Sequence, residues 1–600
     1  MDRKNAPENL KWKLSDIYKT HEDFDKDLEK VNEYLPIIEK FKGKLNDPEI
    51  LLKYYKTSEA FGKITNKLHS YVMLNHDVDL NNDLYLEDEQ KLNVFSSKLS
   101  KASSFVEPEL ANLSDEYFEN VLKDERFKDY DKRIENILNN RKHILSKEQE
   151  EALSVIYSFS NGFDDVMSTL TENDFKYKPV LVNGKEEELT ESTYHRFIDN
   201  KDRKVRTQAY NNLYEVYRQF SKTLAINYIN FVKLVNCDLK LRKYNSTFEM
   251  LQDGKKIPQE LFDNLIKNVN KNLNLEQKYF KLLKNSTKIK DFGFQDVYQS
   301  LSKNLNKKYS IDKQKDIVLK ALAPLGEKYT NQLKSAYENN WIDFCTNANK
   351  KSGGYMLGVY GVHPYVFLND NGDYDSLSTL AHELGHAMHT YYSDSSQPYS
   401  KHHYSTFIAE IASTVNEILL NKYMIANAKT DEEKLFYLDN YLQHFKGTVF
   451  RQTMFAEFED FAHNKVANDE ILSEKILNDK YTELLKKHFA DTVNIDENIT
   501  HEWQRIPHFY SPYYVYNYST SFISAVYIAN SILENKENML NNYMDMLKSG
   551  SNDYPTKILA KAGVDLTKDE TFDYAFNDMK KSLKEAEDIL NTTKEKNNDL

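Results

Sequence analysis

A chain of 600 residues with a net charge of −13, 16 glycines and 12 prolines is too long for one small domain and too poor in breakers for a loop-rich architecture. Its acidity argues against a general nucleic-acid or acidic-membrane binder, and no run approaches the roughly 18 apolar residues of a membrane span. Only two cysteines, Cys237 and Cys345, are present, so no disulfide framework is expected. The opening MDRKNAPENLKWKL lacks a signal-peptide apolar core, and a cytoplasmic chain with reduced thiols is expected.

Leu, Lys, Glu and Asn dominate, which favours a mainly α fold. The 42 tyrosines and 32 phenylalanines supply bulky packing groups. From about residue 14 to 170 the pattern is helical. Leu92, Phe95, Leu99, Ala102 and Val106 step by three and four along one buried face. Ser146 and Gln149 read as a capping box that starts a helix through Leu153 and Ile156. In FKYKPVLVNGKEEELT, 175–190, the pair Asn183-Gly184 between short extended runs predicts a hairpin. It is taken as the close of an N-terminal helical lobe, 1–190. A second lobe is expected over 191–590, then a polar tail, 591–600. Helices resume to about 340. The segment GGYMLGVYGVHPYVFLND, 353–370, then predicts a strand from Val359 to Leu368, placed at a sheet edge because Pro364 has no amide proton to share.

TLAHELGHAMHTYY, 379–392, holds the chemistry. Leu380, Ala381, Leu384, Ala387 and Met388 give a helix with an apolar wrap, where imidazoles and carboxylates are costly unless paired. His382 and His386 form an HExxH pair, four residues apart on one face, able to reach one metal ion. Glu383, offset by about 100° on the same turn, stands where a general base acting on water belongs. A catalytic zinc takes three protein ligands and keeps one position open. His389 is too far along the helix, about 10.5 Å from His382, to be the third; second shell or packing are its alternatives. The next apolar segment, FIAEIASTVNEILL at 407–420, carries Glu410, Ser413 and Glu417. Glu410 is the expected third ligand, because a buried carboxylate needs a partner. Glu417 is a candidate to hold a ligand histidine through its second ring nitrogen. Further on, His508, Tyr510, Tyr513, Tyr514 and Tyr516 crowd within nine residues.

TLAHELGHAMH at 379–389, AEIASTVNE at 409–417 and RIPHFYSPYYVYNYSTS at 505–521 together resemble the M3 family of zinc peptidases, most closely its oligoendopeptidase F branch. GVYGVHPYVFLN and the opening NLKWKLSDIY are similar to that family too. The resemblance implies a mainly α ellipsoid divided by a deep channel, with a small β-sheet beside the zinc-bearing helices. It implies one zinc ion per chain and short peptides as substrates, cut internally. Nucleic acid and membrane are not expected partners. It further implies that the sheet segment, with Gly361 and His363, contacts substrate backbone. Tyr510 and Tyr513 become candidate substrate contacts, and Tyr516 or His508 the donor to the developing oxyanion. The reading is therefore a metalloendopeptidase of HExxH type with Glu383 as base. Its rivals are a zinc carboxypeptidase of similar helical fold and a catalytically dead, peptide-binding scaffold.

Overall fold

Apolar residues at helical spacing, with few breakers to interrupt them, give a mainly α protein with two small sheets, seen in a computed structural model that describes residues 3–157, 160–302, 305 and 307–598. No helix of the described residues is long and apolar enough to cross a membrane. The chain folds into two compact units built from interleaved segments. One comprises Met1–Ile144, Asn306–Tyr423 and Ala525–Asp565; the other comprises Leu145–Leu305, Met424–Ser524 and Leu566–Leu600. These units describe packing, whereas the division at 190 describes sequence order and stands as a proposal.

In the first unit, α1 (His21–Glu39), α2 (Pro48–Asp77) and α3 (Asp83–Ser103) pack on one another. Each starts from a side-chain cap, Thr20, Asp47 and Asn82, that accepts from an otherwise orphan helix amide. Leu92, Phe95 and Ala102 face the core from α3, while Val106 belongs to the next short helix because α3 stops at Ser103. The sheet of this unit has the order β3 (Ile342–Cys345), β5 (Tyr365–Asp370), β4 (Tyr355–Leu357); β3 runs parallel to β5 and β4 antiparallel. The remaining strands, β1 (Val180–Val182) and β2 (Lys185–Glu187), form the predicted hairpin in the second unit. Asn183 and Gly184 take φ of 50° and 81°, the two left-handed positions that a tight hairpin turn requires. The capping box also forms: Gln149 N donates to Ser146 Oγ at 3.3 Å and Ser146 N to Gln149 Oε1 at 3.1 Å. The longest helix of this unit, α4 (Arg203–Arg242), buries Val205, Ala209, Leu213 and Val216 along one stripe. The C-terminal helix runs to Asn598, and residues 599–600 of the expected tail lie outside the described residues.

The strand expectation for 359–368 needs correction. Residues 359–362 make a turn, with Val362 N donating to Val359 O at 3.0 Å and Gly361 at φ 78°. Pro364 precedes the strand instead of sitting within it. From Tyr365 the segment is the central strand, flanked on both sides, which is why Tyr365, Val366, Phe367 and Leu368 are all buried. The edges are β3 and β4.

The opening of the chain is tied to this sheet. Trp12 packs edge-on to Tyr365 at 6.1 Å and against Phe367 at 5.7 Å, and Tyr365 Oη donates to Lys13 O at 3.2 Å. Asp343 of β3, buried in the sheet, is neutralised by Arg3 at 2.6 Å and by Lys350 at 2.7 Å. A buried carboxylate without such partners would be costly. Trp12→Ala is expected to lower stability by about 3 to 5 kcal/mol, as for a large aromatic removed from a core. Urea unfolding followed by circular dichroism checks this, and a loss under about 1 kcal/mol would mean that the segment is only loosely attached.

Candidate metal centre

Two helices of the first unit's apolar core build the centre. The first, α5 (Tyr374–Ser396), is capped by Asp373, whose carboxylate accepts from Ser376 N at 3.0 Å, and packs on β4 and β5. The second, α6 (Thr406–Ala426), buries Phe407, Ile408, Ile411, Ala412, Val415, Ile418 and Leu419. Where the two helices meet, Asn416 Nδ2 donates to Ala381 O and its Oδ1 accepts from Tyr329 Oη, both at 3.0 Å.

His382 and His386 turn their Nε2 atoms towards each other at 3.2 Å. Glu410 Oε2 lies 3.6 Å from the first and 3.3 Å from the second. The three atoms form a nearly equilateral triangle. Tetrahedral coordination with bonds of about 2.0 to 2.1 Å has ligand–ligand edges of about 3.3 to 3.4 Å, so two imidazoles and a carboxylate fit one zinc ion here. Among the described residues they are the one His, Cys, Asp and Glu cluster so disposed.

The surrounding charges favour a cation at that point. Burial works against ionising Glu410, but the hydrogen bond and charge of His386, with His382, outweigh it and hold the carboxyl down at about 2. Burial likewise works against a charged His382, yet Glu417, with Glu383 and Glu410 beyond it, pushes the imidazole up to about 9. Glu417 Oε2 stands 3.3 Å from His382 Nδ1, and Ser378 Oγ donates to Glu417 Oε1 at 3.4 Å. The contact leaves Nε2 as the nitrogen that faces Glu410 and His386. Glu383, only 6% exposed, has its carboxyl raised by burial, against the pull of His382 and His386.

The other candidates fall elsewhere. His389 is fully buried, stacked on Tyr404 at 3.6 Å and 8°, and neither ring nitrogen has a hydrogen-bond partner. Burial lowers it to about 3, so it is a neutral packing ring and orients no ligand. His363 also packs: it stacks on Trp341 at 4.8 Å, donates through Nδ1 to Pro364 O at 2.8 Å, and sets Nε2 3.4 Å from Asp16. Gly361 sits in the exposed turn before β5.

In the second unit, Tyr516 is 0% exposed between Phe248 and Phe262 and donates to Gln252 Oε1 at 3.2 Å. Tyr513 is buried beside the same two rings, its hydroxyl donating to Asp460 at 2.8 Å. Tyr510 accepts from Asn227 at 2.9 Å and packs on Phe231. The helix begins only at Tyr516, so these tyrosines do not share one helical face. Tyr510 is half-buried, and three further side chains reach solvent. Tyr514 is 39% exposed, and half-buried His508 stands 3.4 Å through Nε2 from the hydroxyl of half-buried Tyr518. Tyr518 packs edge-on to Tyr514 with ring centroids 5.4 Å apart.

Residues 196–578 match the model of Peptidase family M3, and residues 109–177 that of Oligopeptidase F. The chain is 36% identical to an oligopeptidase PepF of Bacillus subtilis, covering 99% of this chain and 89% of that one. It is 32% identical to a plasmid-encoded oligoendopeptidase F of Lactococcus lactis, covering 98% of each. A solved peptidase structure from Chlamydophila abortus superposes with TM-score 0.93 at 31% identity, covering 98% of this chain and 99% of that one. An oligoendopeptidase-F from Enterococcus faecium does so with TM-score 0.72 at 31% identity, covering 95% and 100%.

If the three side chains hold one ion together, removing any one of them should empty the site. His382→Ala, His386→Ala and Glu410→Ala are each expected to lose stoichiometric zinc, while His389→Ala keeps it. Metal analysis after gel filtration reads the outcome; zinc lost from His389→Ala but kept by Glu410→Ala would reverse the assignment.

Proposed function

Because the chain belongs to peptidase family M3, we propose that it is a zinc-dependent oligoendopeptidase that cuts internal bonds of short, unstructured peptides, with His382, His386 and Glu410 holding one zinc ion. The observation that carries this reading is the ligand triangle, with edges of 3.2, 3.3 and 3.6 Å, on the turn that bears Glu383. When bound, zinc supplies Lewis acidity towards the scissile carbonyl and lowers the pKa of water to about 7. Glu383 accepts a proton from the attacking water and returns it to the leaving amine. Burial suits it to the first task, since a carboxylate whose carboxyl is raised above its usual range is a stronger base. Glu417 keeps His382 oriented through Nδ1.

The edge for substrate backbone passes from 359–368 to β4, which pairs with β5 on one side and forms an edge of the sheet. An extended peptide adds to such an edge through main-chain hydrogen bonds. By the family resemblance of 505–521, His508 is taken as the oxyanion donor, since the Tyr516 hydroxyl is buried in an aromatic cluster and donates to Gln252. A cytoplasmic setting remains part of the proposal.

Glu383→Gln is expected to keep zinc while turnover of a quenched peptide falls by about 10²-fold or more. More than a tenth of the wild-type rate would exclude Glu383 as the base. Mass spectrometry of the products separates the rivals, because single C-terminal residues would indicate a carboxypeptidase and no products a dead scaffold. For the donor, His508→Ala is expected to lower kcat by about 10²-fold, the size of one oxyanion contact, while Tyr516→Phe leaves it unchanged. The opposite pattern would return the role to Tyr516.

A further inference from the structure

Gly385 lies inside HExxH, in ordinary helical backbone, where glycine is less favourable than alanine. What it permits is contact. A Cβ built there would lie 2.5 Å from Ser413 Cα, 2.6 Å from Ala412 O and 2.7 Å from Ser413 N. All three are main-chain atoms of α6, so no side chain can swing aside to make room. By contrast, a Cβ on Gly358 would meet the Cγ2 of Thr390 at 2.6 Å, the end of a side chain. To reach the 3.4 Å at which ordinary contact begins, α5 and α6 would part by about 0.9 Å, the difference between 3.4 and 2.5 Å.

That separation bears on the ligand triangle, because two of its atoms ride on α5 and the third on α6. Its cross-helix edges are 3.3 and 3.6 Å, so the longer one already stands at the outer end of what one tetrahedral ion spans. On the α6 side of the contact, Ser413 Oγ lies 2.9 Å from Glu410 O and 3.1 Å from Glu410 Oε2, the same oxygen that faces both imidazoles. Ser413 is itself fully buried, so no water competes for its hydroxyl. We propose that Gly385 and Ser413 act as one positioning unit for the metal site. The glycine sets the helix spacing from which Glu410 reaches the two histidines, and the serine hydroxyl fixes how the Glu410 carboxylate turns. The inference rests on the zinc reading above.

The test uses full-length wild type, Gly385→Ala, Ser413→Ala and, as a control glycine with a comparable close approach, Gly358→Ala. Each is stripped of metal, checked for folding by the apo-protein Tm, and titrated with zinc against a chromophoric chelator; cobalt(II) absorption then reports coordination geometry. Gly385→Ala and Ser413→Ala are expected to weaken zinc binding by about 10- to 100-fold, the usual effect of losing a group that orients a ligand. Both should alter the cobalt spectrum, while Gly358→Ala changes neither. Affinities within about twofold of wild type and an unchanged spectrum in both variants would overturn the inference, as would an equal loss in Gly358→Ala. Should Gly385→Ala fail to fold, Ser413→Ala, which leaves the helix contact intact, decides alone, and an unchanged affinity there overturns the proposal. A wild type that takes up no zinc overturns the zinc reading and this inference with it.

Discussion

Helices α5 and α6 touch main chain to side-chain-free main chain at Gly385 and Ser413, and the functional chemistry depends on that closeness. An imidazole or a carboxylate is costly in an apolar interior unless something pairs with it. His382, His386 and Glu410 meet that requirement only because two apolar helices bring their polar atoms within 3.2 to 3.6 Å. The apolar residues around them, Leu380, Ala381, Leu384, Ile411, Ala412 and Val415, do more than fill space. They back the three polar side chains, which keep 27%, 15% and 35% of their own surface towards solvent, and so lower the dielectric on one side of the cluster.

The support extends outward from the pair. Asn416 ties the main chain of α5 at Ala381 to Tyr329, and Glu417 fixes the ring of His382. Behind α5 lies the sheet, whose β3 carries the buried Asp343. Its charge is balanced by Lys350 and by Arg3 from the opening of the chain. Trp12 closes the same face against β5. Residues 3–18 thus belong energetically to the sheet behind the metal centre, although they stand more than three hundred positions earlier in sequence.

Much of this was legible in the sequence, and the reasons differ by element. The cluster of His382, His386 and Glu410 could be read because it is chemically conspicuous: two histidines four apart, and carboxylates on a helix that otherwise wants to be buried. The Asn183-Gly184 turn and the Ser146 cap are equally local. The strand was misplaced because Val359, Tyr360 and Val362 are strand formers although Gly361 and Pro364 among them are not, and only pairing decides where the strand starts and whether it is central. Its parallel partner β3 ends twenty residues earlier, beyond any short-range pattern. The tyrosine segment misled for a related reason. Phenols are suited to catalysis and to core packing alike, and the late helix start at Tyr516 turned Tyr513 and Tyr516 inward, leaving Tyr514 and Tyr518 within reach of solvent.

The central claim is that one zinc ion sits among His382 Nε2, His386 Nε2 and Glu410 Oε2. Anomalous diffraction from zinc-loaded crystals, recorded on both sides of the zinc absorption edge, tests it most directly. The account predicts a single strong peak about 2.0 to 2.2 Å from all three atoms. No peak there, or a peak coordinated by other residues, would contradict it.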